Sequence, residues 1–346
     1  MSLPRYFFSC DWGTTRFRLR LVASAGFQVL DEWVEDAGVK EIHARLGERP
    51  SAADRDRAFR EFLVERLRRL RERAAVGRVP APVVISGMAS STVGWRELSY
   101  AKAPFPLDGS ALVVARLDEG DPEGSENGNA IWLVSGVRTE TDIMRGEECE
   151  VLGLWQLGVG RESADGRPSV VILPGTHAKH VWICEGAIAG FRTYMTGELC
   201  DVLARHSLLR VSVAWPLEGG GSRPANRDAF DEAVQFAFQQ GMEAGLFRVR
   251  TRSVLGGADP ESNGWFLSGL MVGSELTALV RDPAAPLLHL AGGSQLSWAY
   301  ERAIRQLGAA SRLSVTSPEQ VGAALVRAHA LILDALQSGR LPGGRV

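Results

Sequence analysis

The residues best placed by type to do chemistry lie first in the run FFSCDWGTTRFRLRLV, where Asp11 precedes Gly13, Thr14 and Thr15. Such a tip suits a polyphosphate. Backbone N–H groups and hydroxyls can meet its oxygens, and the Asp11 carboxylate can hold a magnesium ion directly or through water. The same residues also make an ordinary hairpin turn, because Gly and Thr serve tight geometry. A Walker-type loop, which runs from strand to helix and carries a lysine, is not present in the run. A second cluster, TDIMRGEECEVLGLW, gathers Asp142, Arg145, Glu147, Glu148 and Glu150 ahead of a helical apolar pattern. Carboxylates at a helix start complement its dipole. That accounts for one or two of them, but not for Arg145-Gly146 just ahead.

Two further stretches complete the set. In LPGTHAKHVWIC a strand ends at Gly175-Thr176 and another follows after a short tip, repeating the layout at Gly13. The two strand–Gly-Thr–strand units read as halves of a duplicated fold that grip one polyphosphate from both sides. In LLHLAGGS an apolar strand delivers Gly292 and Gly293 to Ser294. This either sets backbone amides against a nucleotide or makes a tight strand-to-helix turn.

These groups need elements to position them. Residues 6–10 are apolar and read as a buried strand, while Phe17, Leu19 and Leu21 alternate with arginines as a half-buried antiparallel strand. Residues 28–35 form a third strand. Residues 53–75 carry Phe59, Phe62, Leu63, Leu67 and Leu70 at helical spacing, their charges marking a solvated face. A short strand at 83–85 feeds the small-residue loop SGMASSTVGW, the usual layout of an α/β ligand site; helix capping by Ser90 or Ser91 is compatible with it. Residues 118–129 read as an exposed acidic loop and 161–168 as a polar one. Helices are expected at 198–206, 227–240, 265–279 and 319–336, with Gly269, Gly273 and Ser274 permitting close approach. The last residues read as frayed. No repeat of 20–50 residues is visible.

Bulk properties narrow the class. A chain of 346 residues is long for one core, so two domains are expected. With 45% hydrophobic and 23% charged residues it has the composition of a soluble globular protein. A formal charge of −2 gives no support for nucleic-acid binding or anionic membrane attachment. Cys10, Cys149, Cys184 and Cys200 show no CxxC spacing, so neither a zinc knuckle nor a redox pair is indicated. No signal peptide or membrane-spanning run is read, and a cytoplasmic location with reduced thiols is expected. His43, His206 and His289 are scattered and read as structural.

DWGTT, SGMASSTVGW, DIMRGEE, LPGTHAKHV, TYMTGEL and AGGS occur in this order. In this the chain resembles the 2-dehydro-3-deoxygalactonokinase family of the sugar-kinase, heat-shock-cognate and actin superfamily, from about residue 5 to 337. It departs at Ala178 and His180, where the family shows Ser or Cys and Trp. The resemblance implies an α/β fold of duplicated actin-like, ribonuclease-H-like domains with an interdomain cleft, placed at residues 1–140 and 141–346. It implies transfer of the γ-phosphate of ATP, with Mg2+, to the 6-hydroxyl of 2-dehydro-3-deoxy-D-galactonate in galactose or galactonate breakdown. The alternatives are a kinase of the same fold for another sugar, sugar acid or polyol, and a non-catalytic ATP-binding regulator. The partner implied is a small sugar acid, with no nucleic acid or membrane; a homodimer is compatible with the fold.

The resemblance also assigns roles. Asp11 would be the magnesium-linked carboxylate and Glu147 the base for the sugar hydroxyl, with Glu148 and Asp142 as alternatives. Gly13, Thr14, Thr15, Gly175, Thr176 and His177 would meet the phosphates. Gly292, Gly293 and Ser294 would lie by the adenosine or α-phosphate. Ser86, Gly87, Met88 and Trp95 would line the sugar pocket with Asp142. Arg145, or secondarily Arg192, would take the substrate carboxylate.

Overall fold

Alternation in the arginine-rich run makes a strand with one dry and one polar face. In the computed structural model, which describes residues 3–47, 50–77, 79–118, 130–161, 166–217 and 223–341, β1 (Tyr6–Trp12) pairs antiparallel with β2 (Phe17–Ala23), and β2 with β3 (Gln28–Glu35). Asp11 lies opposite Arg18 and Ser9 opposite Arg20, so these four share a face; Cys10, Trp12, Phe17 and Leu19 share the other. The dry face forms a core with Phe59, Phe62, Leu63, Leu67 and Leu70 of α2. A short helix, α1 (Val39–Arg45), precedes α2 (Ala52–Arg73), which Ser51 and Asp54 start with a capping box.

The first unit continues through β4 (Val83–Gly87), β5 (Ala101–Lys102), β6 (Phe105–Pro106), β7 (Val114–Arg116), β8 (Ile131–Val134), β9 (Val137–Arg138), β10 (Ile143–Met144) and α3 (Glu147–Gln156). Its main sheet has the order β3-β2-β1-β4-β8-β7. β4 runs parallel to β1, and β8 parallel to β4.

The second unit comprises β11 (Ser169–Leu173), β12 (Ala178–Cys184), β13 (Ala187–Tyr194, all but its first two residues), α4 (Thr196–His206), α5 (Pro224–Gln240), α6 (Glu243–Gly256), α7 (Pro260–Val280), β14 (Leu287–Leu290), α8 (Ser294–Gln306) and β15 (Leu313–Val315). Its strands follow the order β13-β12-β11-β14-β15. β11 pairs antiparallel with β12 and parallel with β14, and β14 pairs parallel with β15. Numbered along the chain within each unit's sheet, the first reads third, second, first, fourth, sixth, fifth and the second reads third, second, first, fourth, fifth, so the two share the order of their first four strands. The chain therefore has the α/β architecture of duplicated actin-like domains. In the second unit α5 and α7 cross closely: a Cβ on Gly269 would stand 2.5 Å from the Phe230 carbonyl oxygen.

The compact units are residues 1–158 with 186–188 and 322–346, and residues 159–185 with 189–321. The divide expected at 140 is displaced, for a packing reason. α9 (Pro318–Gln337) brings Gly322 and all that follows back to the first unit. A Cβ on Gly153 of α3 would lie 1.7 Å from the carbonyl oxygen of Ala324, so the two helices meet backbone to backbone. The acidic stretch 119–129, residues 162–165 and the last residues, 342–346, lie outside the described residues. Among the described residues no helix is long and apolar enough to cross a membrane.

Candidate active site

The first tip is tied down from behind. The carbonyl oxygens of Gly13, Thr14 and Thr15 accept hydrogen bonds from the N–H groups of Val39, Lys40 and Gly38 at 3.0, 3.1 and 3.0 Å. In a trans peptide the carbonyl and the following N–H point in opposite directions. The N–H groups of Thr14, Thr15 and Arg16 are thus turned away from α1, as a fan suited to anionic oxygens. Gly38 permits this: a Cβ there would stand 2.3 Å from the Thr14 carbonyl oxygen. Thr14 and Thr15 are exposed.

Behind the tip, acidic groups crowd. Asp11 is half-buried and its carboxylate has no hydrogen-bond partner among the described residues. Burial raises its pKa, Arg18 and Arg20 oppose the rise, and Glu147 adds to it. Glu147 and Glu150 stand one turn apart on α3 and so share a helix face. Glu150 is pushed up to about 8 by burial and then by the charges of Asp11 and Glu147. Glu147 Oε2 accepts from the Arg145 N–H at 3.0 Å, and Glu148 Oε2 from the Gly146 N–H at 2.8 Å. Gly146 has a φ of +107° and its Cα faces β4: a Cβ there would be 3.3 Å from the Gly87 Cα. Glu148 differs from Glu147 in being 1% exposed, and burial with the Glu147 charge pushes it up to about 8.

This crowding fits a divalent cation. Among the described residues no group of three or more His, Cys, Asp or Glu is placed to hold a metal ion. Magnesium commonly needs only one or two carboxylates when substrate phosphates supply the rest, and Asp11 has the free oxygens to be one of them.

On the same polar face of the sheet, α9 sets His329 between two strands. Its Nδ1 is 2.8 Å from Ser9 Oγ and its Nε2 3.1 Å from Ser86 Oγ, all fully buried. Burial, helped by Arg20, pushes His329 down to about 3, so the ring is neutral, with one nitrogen donating and the other accepting.

These shifts predict opposing pH dependences. A native carboxyl at about 8, against an ordinary 4.5, holds a proton that the unfolded chain releases. The stability Glu148 contributes is full below about pH 4.5 and is lost as pH rises through about 8. His329 contributes in the other sense, its stability being present above pH 6.5 and lost as pH falls toward 3. Thermal unfolding of Glu148→Gln should match the wild type near pH 5 and exceed it at pH 9. Parallel curves at every pH would exclude Glu148 as the source of the alkaline loss.

The end of β4 and the loop after it hold the proposed sugar-binding residues. Ser86 and Gly87 are buried and Met88 half-buried. Gly87 has a φ of +90°, and a Cβ there would press within 2.8 Å of the Trp12 carbonyl oxygen. Arg145 ties this loop to its neighbours. It donates to Ser90 Oγ at 2.7 Å, Tyr100 Oη at 2.9 Å and the Leu98 carbonyl at 3.0 Å, and its guanidinium lies 3.9 Å from the Tyr100 ring centroid. One N–H remains on each terminal nitrogen. Asp142 is half-buried and its Oδ1 accepts from the Ile143 N–H. Trp95 stands apart: it is 3% exposed, packs with Trp12 and Phe59 in the core, and donates its indole N–H to Asp56. Its side chain supports the loop from beneath and is not presented to a ligand.

The second unit repeats the construction of the tip. The Glu198 N–H at the start of α4 donates to the Thr176 carbonyl oxygen at 3.1 Å, which turns the His177 N–H outward. Gly197 lies where a Cβ would be 2.7 Å from the Gly175 carbonyl oxygen. Gly197 is to this tip what Gly38 is to the first. Thr176 and His177 are exposed, and His177 pairs with Glu198. After β14, Ser297 Oγ donates to the Gly292 carbonyl at 2.9 Å. Gly293 has ordinary extended dihedrals and open space around a built Cβ, so nothing within the chain requires a glycine there. Ser294 opens α8; its side chain lies outside what is described. Arg192 is exposed on β13.

Sequence reasoning gave no role to Gly38, Gly197, Glu150 or His329. TYMTGEL already contained Gly197, and Glu150 follows Glu147 by one helical turn. No local pattern pointed to His329, which reaches the site from the last helix.

The 2-keto-3-deoxy-galactonokinase family matches residues 11–328. A Rhizobium meliloti protein named as a probable 2-dehydro-3-deoxygalactonokinase, DgoK1, is 31% identical over 339 residues, 94% of this chain and 97% of its own. The 2-dehydro-3-deoxygalactonokinase of Escherichia coli is 30% identical over 319 residues, 87% of this chain and 90% of its own. The solved structure of a candidate 2-dehydro-3-deoxygalactonokinase from Sinorhizobium meliloti superposes with a TM-score of 0.73 at 24% identity, covering 96% of this chain and 99% of that one.

Proposed function

This chain belongs to the 2-keto-3-deoxy-galactonokinase family, and on that premise we propose that it transfers the γ-phosphoryl group of ATP to the 6-hydroxyl of 2-dehydro-3-deoxy-D-galactonate in the cytoplasm. The observation that carries the reading is the first tip, whose carbonyls are all tied back so that three successive N–H groups turn outward, above the Asp11 carboxylate, which has no hydrogen-bond partner among the described residues.

Phosphoryl transfer asks the protein for position and charge more than for covalent chemistry. Thr14, Thr15 and the Arg16 N–H would hold the oxygens of the transferring group, closed at the turn by Gly13. Asp11 would hold Mg2+, which supplies positive charge to the β and γ oxygens when bound. Glu147 would take the proton of the sugar hydroxyl. Its Oε2 is oriented by the Arg145 N–H, so the carboxylate is fixed at the mouth of α3. Arg145 would offer its two remaining N–H groups to the substrate carboxylate, with Ser86, Gly87, Met88 and Asp142 around the sugar. In the second unit Gly175, Thr176, His177, Gly292, Gly293 and Ser294 would serve the nucleotide, and Gly293 is a place where a ligand explains a glycine that packing does not.

A coupled ADP-release screen over 2-keto-3-deoxy acids and neutral sugars tests the reading. The highest kcat/KM is expected for 2-dehydro-3-deoxygalactonate; turnover of neutral sugars alone would overturn it. Arg145→Ala should weaken sugar-acid binding by about 2–5 kcal/mol, the loss for one partner of a buried charge pair, with the KM for ATP near its wild-type value. A normal KM for the sugar acid would move that role to Arg192.

A further inference from the structure

The second unit contains a buried polar cluster that none of the roles above uses. Glu275 of α7 is 3% exposed in a helix face that is otherwise apolar. Its Oε1 lies 2.8 Å from His180 Nε2 of β12. Its Oε2 accepts from Tyr300 Oη of α8 at 2.7 Å and from the Thr196 hydroxyl of α4. One carboxylate therefore binds groups from three other elements.

Each of those elements leads to a nucleotide-facing group. β12 is the strand leaving the second tip, with His180 opposite Ile172 of β11. Thr196 is the first residue of α4, and the next two residues are the Gly197 and Glu198 that hold the Gly175-Thr176 tip. Tyr300 lies in α8, less than two turns beyond the Gly292-Gly293 turn that starts it.

Stability alone does not account for such a cluster. A buried carboxylate and its partners are often no more stable than an apolar set of the same volume. Here His180 Nδ1 is buried with no hydrogen-bond partner among the described residues, a further cost. What a carboxylate offers that a leucine does not is directional acceptance from three donors at once, which fixes register between elements.

We propose that Glu275 is a positioning residue for ATP, holding the Gly175-Thr176 tip and the Gly292-Gly293 turn in one fixed arrangement through His180, Thr196 and Tyr300. The proposal rests on the reading of this unit as the nucleotide side. A positioning carboxylate acts on nucleotide affinity without touching the nucleotide.

The test compares wild type with Tyr300→Phe, Thr196→Val and Glu275→Gln, by calorimetric titration with ADP, thermal unfolding, and KM for ATP and for the sugar acid. Gly293→Val serves as the control for the reading beneath. Each network variant should weaken ADP binding and raise the KM for ATP about tenfold, the scale of one hydrogen bond to a charged group, with the KM for the sugar acid within twofold. Tyr300→Phe and Thr196→Val remove single hydroxyls, and they carry the test should Glu275→Gln fail to fold. If Gly293→Val weakens ADP binding but the network variants lower only the unfolding temperature, the cluster is a structural brace and the proposal falls alone. If Gly293→Val leaves ADP binding unchanged, the nucleotide reading of that turn falls and takes the proposal with it.

Discussion

Glu147→Gln is expected to fold, to bind ATP and the sugar acid as the wild type does, and to lose about 10²–10⁴ in kcat, the usual contribution of a positioned base. A loose transition state places little demand on proton removal before the phosphoryl group departs, which favours the lower end of that range. The amide of Gln retains an oxygen that can accept the Arg145 N–H, so the entry to α3 should survive. Glu148→Gln is the internal comparison. It is the next residue on the helix, about 100° around it, and its carboxyl is 1% exposed and spent on the Gly146 N–H. Glu148→Gln should keep kcat within a few-fold. The reverse pattern would make Glu148 the base. Near-full activity in both would direct attention to Asp142, and then to Glu150, which shares Glu147's face.

Gly38→Ala should be nearly as damaging without removing any chemical group. The new methyl would stand 2.3 Å from the Thr14 carbonyl oxygen, about 1 Å short of ordinary contact. Either the tip moves or α1 does, and either breaks the tie-back that turns the N–H groups outward. A misplacement of about 1 Å can lower the rate by about 10², so kcat/KM for both substrates should fall on that scale, measured by ADP release. Val39 and Ile42 of α1 belong to the core that β1, β2 and α2 form, so a fall in unfolding temperature should accompany the loss of rate. A kcat/KM within threefold of wild type would show that the tip tolerates displacement and is not a fixed phosphate cradle. Gly197→Ala poses the same question of the second tip, where the Cβ would lie 2.7 Å from the Gly175 carbonyl oxygen.

Much of the fold was legible because period-two and period-3.6 patterns report burial directly. β3 and β14 came out with their observed bounds, and α2 within two residues at each end. α1 and α6 escaped. The first is too short to show a period, and the second carries residues such as Leu255, 84% exposed, that blur any apolar face. The candidate site was legible where chemistry clusters along the chain, as in DWGTT and RGEE. It was not legible where a side chain's direction decides its role. Trp95 sits in a ligand-like loop yet turns into the core, and nothing in SGMASSTVGW distinguishes the two directions. The observed division differs from the one placed at 140 for a related reason: unit membership is decided by which backbones touch, as at Gly153 and Ala324. Glu275 had a signal after all, as the lone acid inside the apolar stretch LSGLMVGSELTALV.

The return of α9 to the first unit also sets an order of events during synthesis. Residues 159–185 and 189–321 leave the ribosome before Gly322, so the second unit has its own segments available while the first still lacks one. Until that last segment emerges, the polar face of β1 and β4 has Ser9 and Ser86 but no His329 between them, and Gly153 has no Ala324 to meet. The half of the protein made first is therefore the half finished last. For much of translation the Asp11 hairpin belongs to a nascent chain whose own closing helix has yet to be made.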